Sequence, residues 1–145
     1  MTRWGMVIET KTCVGCYACM LACKQEHYLP PEINWNRLIF KEGGKFPAVK
    51  EQIVSVMCNH CAEAPCVEAC PTGATYKRED GIVVVDHDKC VGCQSCSMAC
   101  PYQMRTLVEE VKEYFPGQGY TELEKLGQQL YPHPVGTVDK CVFCA

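Results

Sequence analysis

The chain has 145 residues, 48% of them hydrophobic, with 14 cysteines and a formal net charge of −3. That balance speaks against nucleic-acid binding, which needs a basic surface, and no apolar run of about 18 residues is present to span a membrane. The length suits one compact domain or two small modules.

Cysteine at this density marks either a disulfide scaffold or a metal scaffold. The opening MTRWGMVIETKTC has no apolar stretch of secretory-leader length, and the cysteines cluster at CxxC spacing instead of spreading out to staple distant segments. Both features favour metal over disulfides. They also point to synthesis in the cytoplasm without a signal of its own.

In chain order, Trp4–Glu9 has the apolar bias of a strand. The first cysteine block follows: Cys13, Cys16, Cys19 and Cys23, in CVGCYACMLAC. Its last cysteine is expected at the start of a short helix, and the same is expected of the other blocks. Gly15, and Gly92 later, are expected to take positive φ or to allow close approach; ordinary loop glycines are the competing reading. Residues 24–57 form an insertion. Its part PPEINWNRLIFKEGGKFPAVK reads as loop, broken by Pro30-Pro31 and Gly43-Gly44, and Gln52–Met57 reads as a strand.

The second block holds Cys58, Cys61, Cys66 and Cys70. TYKREDGIVVVD after it reads as a hairpin, Thr75–Arg78 and Ile82–Asp86 about a turn at Asp80-Gly81. The third block, Cys90, Cys93, Cys96 and Cys100, nearly copies the first, as expected of a repeated unit. A second insertion, residues 102–140, carries a helix over Glu122–Gln129, with Thr121 as N-cap and Glu124 as its capping-box partner. The fourth block offers Cys141 and Cys144. The reading divides the chain into 1–57, a central module at 58–101, and 102–145.

The third block has the spacing C-x2-C-x2-C-x3-C-P, the bacterial ferredoxin run, in which the fourth cysteine serves the other cluster. Crosswise exchange assigns one [4Fe-4S] cluster to Cys58, Cys61, Cys66 and Cys100. It assigns the second to Cys90, Cys93, Cys96 and Cys70. The first block pairs with the fourth in the same way. Soft thiolates at this spacing favour iron-sulfur over separate zinc sites. His60 reads as a solvent or outer-shell residue, and His27, His87 and His133 as surface or packing residues. Tyr17, Tyr102, Trp35 and Phe143 either shield clusters or simply pack. Lys11, Lys89 and Lys140 either offset cluster charge or are solvated. No Ser-His-Asp set, P-loop or GxGxxG run is present, so the chain reads as a carrier and not as an enzyme.

The segments CVGCYACMLACK, CNHCAEAPCVEACPTGA, KCVGCQSCSMACPY and KCVFC resemble the four-cluster iron-sulfur subunits of molybdopterin oxidoreductases, such as dimethyl sulfoxide, polysulfide, tetrathionate and arsenate reductases. The resemblance runs from Trp4 to Cys144. It implies an α+β chain of tandem dicluster ferredoxin-like modules, with short strands and helices around clusters and long loop insertions. It implies partners too: a large molybdopterin subunit carrying molybdenum or tungsten, and a membrane anchor linked to quinone. Membrane association, or export to the periplasm, would then come through a partner. In the resembled family the fourth motif continues with two more cysteines, whereas Ala145 follows Cys144 here. Two clusters are therefore fully provided for. The sets Cys13, Cys16, Cys19 and Cys141, Cys144, Cys23 each lack a ligand, as expected of a fragment or of sites that a partner completes. The alternatives are a stand-alone dicluster ferredoxin and a zinc-binding interaction module.

Overall fold

A computed structural model describes residues 3–144. These described residues fold into four helices and six strands: α1 Ala18–Glu26, β1 Asn36–Gly43, β2 Lys50–Met57, α2 Pro65–Glu68, β3 Thr75–Lys77, β4 Val83–Val85, α3 Ser95–Met98, β5 Thr106–Leu107, α4 Glu122–Leu130 and β6 Val138–Asp139. The strands form three separate antiparallel pairs, β1 with β2, β3 with β4, and β5 with β6. This is a mixed α+β architecture of short elements, compatible with a ferredoxin-like dicluster domain.

The expected β-hairpin forms, trimmed at both ends. Thr75 pairs with Val85 and Lys77 with Val83, and the turn closes through Gly81 N–H to the Arg78 carbonyl. The helix in the second insertion also forms. Its Thr121 hydroxyl accepts from the Glu124 N–H while the Glu124 side chain accepts from the Thr121 N–H, so two orphan donors of the first turn are satisfied. Gly127 lets this helix lie against Tyr28; a Cβ there would overlap the Tyr28 ring.

Three expectations are corrected. Trp4–Glu9 is not a strand: Val7 is 96% exposed, and among the described residues no strand pairs with the segment, so its backbone gains no ladder. The 30–50 segment is not all loop. Residues Asn36–Gly43 form β1, in full register with β2 from Asn36↔Met57 to Gly43↔Lys50, because an apolar β2 needs an antiparallel partner and Leu38-Ile39-Phe40 supplies one. Gly44, at φ 98, then turns the chain, and a Cβ there would overlap the Ala48 carbonyl. Finally, the last cysteines do not open the short helices. Cys66 and Cys96, third in their blocks, lie at the helix starts, while Cys70 and Cys100 follow the helix ends. In α1, Cys19 opens the helix and Cys23 lies further along it.

Two small cores hold these pieces together. One gathers Leu29, Ile33, Trp35, Val108 and Cys141, with Cys23, Cys58 and Phe143 packed against it. The other gathers Ala64, Cys66, Val83, Cys96 and Val138, with Cys61 and Cys90 against it. Burying a side chain such as Leu29 or Val138 contributes about 1.5–3 kcal/mol. Cysteines line both cores, so much of the buried volume surrounds thiols.

Candidate metal centres

The four cysteine blocks share one backbone device. The residue before each second cysteine has a positive φ: Gly15 66°, His60 43°, Gly92 65° and Phe143 59°. In the first and third blocks a second left-handed residue, Tyr17 or Gln94, caps the helix that follows. Glycine adopts this region freely; histidine and phenylalanine do so at a strain of about 1–3 kcal/mol. The device turns the backbone sharply just before the second cysteine of each block.

One cavity is lined by Cys58, Cys61, Cys66 and Cys100, together with His60 and Arg105. Three of the thiols come from the second block and one from the third. Burial pushes the Cys66 thiol up, and the neighbouring Cys58 and Cys100 add to this, against the opposing charge and hydrogen bond of Arg105. Arg105 Nη2 donates to Cys66 Sγ at 3.1 Å, and Nη1 donates to Thr75 Oγ1 at 3.1 Å. His60 is 5% exposed, which corrects its reading as a solvent residue. Its Nδ1 accepts from the Val83 N–H at 2.9 Å, so the proton sits on Nε2, which has no partner among the described residues. Burial, then the charges of Lys140 and Arg105, push its pKa down to about 4, and the ring is neutral.

Beside this cavity lie Cys70, Cys90, Cys93 and Cys96. Cys90 and Cys96 share the second core with Cys61 and Cys66, and Cys70 is close enough that its charge acts on Cys93. Burial works against the Cys70 thiolate, but hydrogen bonds from the Thr75 N–H, at 3.4 Å, and from Thr72 outweigh it and bring the thiol down to about 7. Cys90 Sγ accepts from the Val138 N–H at 3.4 Å.

A third group joins the first and fourth blocks. Burial, followed by the charges of Cys141, Cys144 and Cys19, pushes the Cys23 thiol up to about 11. His27 Nε2 lies 3.3 Å from Cys144 Sγ, and its ring packs on Trp35 at 4.5 Å between centroids. Trp35 is thus a core residue beside this group, while Tyr17 and Tyr102 are largely exposed. Cys16 is exposed and Cys13 half-buried, at the surface end of the first block.

Among the lysines, Lys89 is exposed and pairs with Asp86 at 2.8 Å, and Lys11 is exposed. Lys140 is 3% exposed. Its Nζ donates to the carbonyls of Val83 and Cys141, so the solvated reading does not hold there. Residues that spacing did not single out also matter. Lys24, standing where the second and third blocks have proline, donates to the carbonyls of Pro30, Pro31 and Ile33 at 2.8, 2.9 and 2.8 Å. Arg105 carried no signature, being a single arginine outside every block.

Among the described residues, no three His, Cys, Asp or Glu side chains converge on a single-ion position. A tetrahedral zinc ion draws its thiolates to about 2.3 Å from one point; a cubane holds them further apart, at its corners. The four-thiol cavity, with a cation and an unpartnered N–H on its wall, has the donor set that such a cluster needs.

A family model described as "4Fe-4S dicluster domain" matches residues 49–130. A selenate reductase subunit of Mesobacillus selenatarsenatis is 40% identical over 98% of this chain and 52% of its own length. The arsenate respiratory reductase iron-sulfur subunit of Shewanella sp. is 47% identical over 69% of this chain and 43% of its own length. One polypeptide of the anaerobic dimethyl sulfoxide reductase of Escherichia coli is 43% identical over 70% of this chain and 53% of its own length. The chain spans about half the length of the curated relatives it matches.

Proposed function

We propose, given that this chain belongs to the 4Fe-4S dicluster domain family, that it is an electron-transfer subunit. It would relay electrons through [4Fe-4S] clusters between a catalytic molybdopterin subunit and a membrane quinone-linked partner. The observation that carries the reading is the cavity in which Cys100 of the third block joins Cys58, Cys61 and Cys66 of the second. Crosswise donation of this kind makes a two-cluster module.

On this reading Cys58, Cys61, Cys66 and Cys100 hold one cluster, and Cys90, Cys93, Cys96 and Cys70 hold the other. Residues 58–101 form the central module, flanked by 1–57 and 102–145. A second module would join the first block to the fourth, supported by the grouping of Cys23 with Cys141 and Cys144 and by the turn that all four blocks repeat. A [4Fe-4S] cluster supplies one-electron redox chemistry. The protein's part is to ligate through thiolates, to exclude water with the two cores, and to direct N–H donors at sulfur. Assembly in the cytoplasm fits the reading, with membrane contact or export provided by a partner.

Iron and acid-labile sulfide analysis with low-temperature EPR tests the proposal. The expected result is about eight irons per chain or more, with matching sulfide, corresponding to at least two cubanes. Anaerobically reconstituted protein that is colourless, free of sulfide and tightly loaded with zinc would sink it. Co-purification with a molybdopterin subunit tests the partner; a chain that exchanges electrons freely without one would instead be a stand-alone ferredoxin.

A further inference from the structure

The cavity of Cys58, Cys61, Cys66 and Cys100 holds a charge that the rest of the fold does not balance. Arg105 is 7% exposed, and its two side-chain hydrogen bonds go to Thr75 Oγ1 and Cys66 Sγ. Among the described residues it forms no ion pair with a carboxylate. A buried cation without a counter-charge is strongly disfavoured, and arginine does not relieve the problem by losing its proton. The group it faces must therefore be negative in the working protein. A neutral thiol is a weak acceptor, whereas a thiolate makes a charge-assisted hydrogen bond.

We propose that Arg105 is a potential-setting residue, which raises the reduction potential of the cluster bound by Cys58, Cys61, Cys66 and Cys100. The inference rests on the electron-carrier reading above. Reduction adds one electron to this site and breaks no bond, so the site becomes more negative by one charge. A fixed cation hydrogen-bonded to a ligand sulfur stabilises the more negative state over the less negative one. In a buried site that preference is weakly screened.

Among the described residues, no cationic side chain hydrogen-bonds to the neighbouring thiol set. Cys70 takes the Thr75 N–H, Cys90 takes the Val138 N–H and Cys93 bonds to Ser95, all neutral groups. Thr75 touches both sets: its N–H donates to Cys70, and its hydroxyl oxygen accepts from Arg105. The effect of Arg105 is therefore directed at one member of the central pair.

The test is an EPR-monitored redox titration of the reconstituted full chain, with iron and sulfide measured on each sample. In Arg105→Gln, one cluster is expected to become about tenfold harder to reduce at fixed potential, equal to a fall of about 59 mV for a one-electron couple. The other midpoints should stay in place. Arg105→Lys keeps the charge but cannot span Thr75 Oγ1 and Cys66 Sγ as the planar fork does. It is expected to give a fall of about threefold in the same cluster, and it decides the matter if the glutamine variant does not assemble. Normal iron content with unmoved midpoints overturns the role of Arg105 and leaves the carrier reading intact. Failure of the unaltered chain to take up iron and sulfide overturns the carrier reading itself.

Discussion

His60 and Phe143 occupy the same place in their cysteine blocks, both with positive φ, and their rings pack on each other at 4.2 Å between centroids. The contact joins the wall of the four-thiol cavity to the fourth block. In the first and third blocks the equivalent position is glycine. His60→Gly would relieve backbone strain, yet it would strip the Val83 N–H of its acceptor and remove the ring contact. An unsatisfied buried donor costs about 1–3 kcal/mol. The lost hydrogen bond and ring contact together are expected to outweigh the released strain, so the variant should be less stable than the parent in denaturant unfolding. A more stable variant would show that strain outweighs the hydrogen bond.

Gly15 and Gly92 share a conformation but not a setting. A Cβ on Gly92 would overlap the Gly136 carbonyl, whereas one on Gly15 would meet the side chains of Ile53 and Phe40 at 3.0 and 3.1 Å. Side chains can yield; a backbone carbonyl in a turn yields less. Gly92→Ala is expected to destabilise by about 2–4 kcal/mol and Gly15→Ala by about 1 kcal/mol, judged from left-handed strain plus overpacking. Paired denaturation curves measure the difference, and equal losses would contradict it.

Crosswise ligation separates two cysteine variants. Cys100→Ser should alter the EPR signal of the cluster whose other ligands lie in the second block, and Cys70→Ser that of its neighbour. Combining Cys100→Ser with Cys58→Ser should disturb the same signal as either alone, because both act on one site. If Cys100→Ser instead groups with Cys90→Ser, each block keeps its own last ligand and the crosswise scheme falls.

His133 gives the fold a pH dependence of definite sign. Its Nδ1 faces Asp139 Oδ2 at 2.6 Å and its Nε2 faces the His27 carbonyl at 2.9 Å. Both partners are acceptors, so only the doubly protonated ring satisfies both. Burial opposes that charge, but the Asp139 hydrogen bond and carboxylate charge outweigh it and raise the pKa above the ordinary 6.5. Two further imidazoles stand nearby: His27, whose own pKa is lowered chiefly by burial, and His87, 3.9 Å from Asp139 Oδ1. A raised folded pKa means that the stabilisation is complete below about pH 6.5 and is lost as pH rises through the folded value. In thermal unfolding the parent should lose stability relative to Asp139→Asn as pH rises above about 6.5, while below that pH the depressed His27 and His60 act in the opposite sense. Asp139→Asn should be less stable at the acid end.

Much of this was legible in the amino-acid order, and the reasons differ from element to element. The hairpin around Gly81 and the helix capped by Thr121 rest on local turn and capping chemistry, which neighbouring residues carry in full. The repeat of the first block in the third was visible as spelling and returns as backbone, in Gly15–Tyr17 and Gly92–Gln94. What was hidden depends on distant partners. Strand β1 exists because β2 pairs with it along its whole length, and the Pro and Gly breakers around it carry no sign of that partner. The same holds for Trp4–Glu9, whose composition suits a strand but which finds no ladder. Arg105 and Lys24 act on sulfur and on carbonyls brought close only by the fold, and no spacing rule marks a single basic residue for such work. The backbone turn that His60 and Phe143 share is not legible in the sequence, because neither is glycine.

The β5–β6 pair has a consequence for how the protein is made. Val138 and Cys141 complete the two cores, and Lys140 reaches the Val83 carbonyl, so neither core is finished until residues 138–141 have left the ribosome. Until then a dozen reactive sulfhydryls, Cys13 to Cys100, ride on an open nascent chain. Closure of the cores is thus a step that follows synthesis of residues 138–141, and until it happens oxidants have freer access to those thiols.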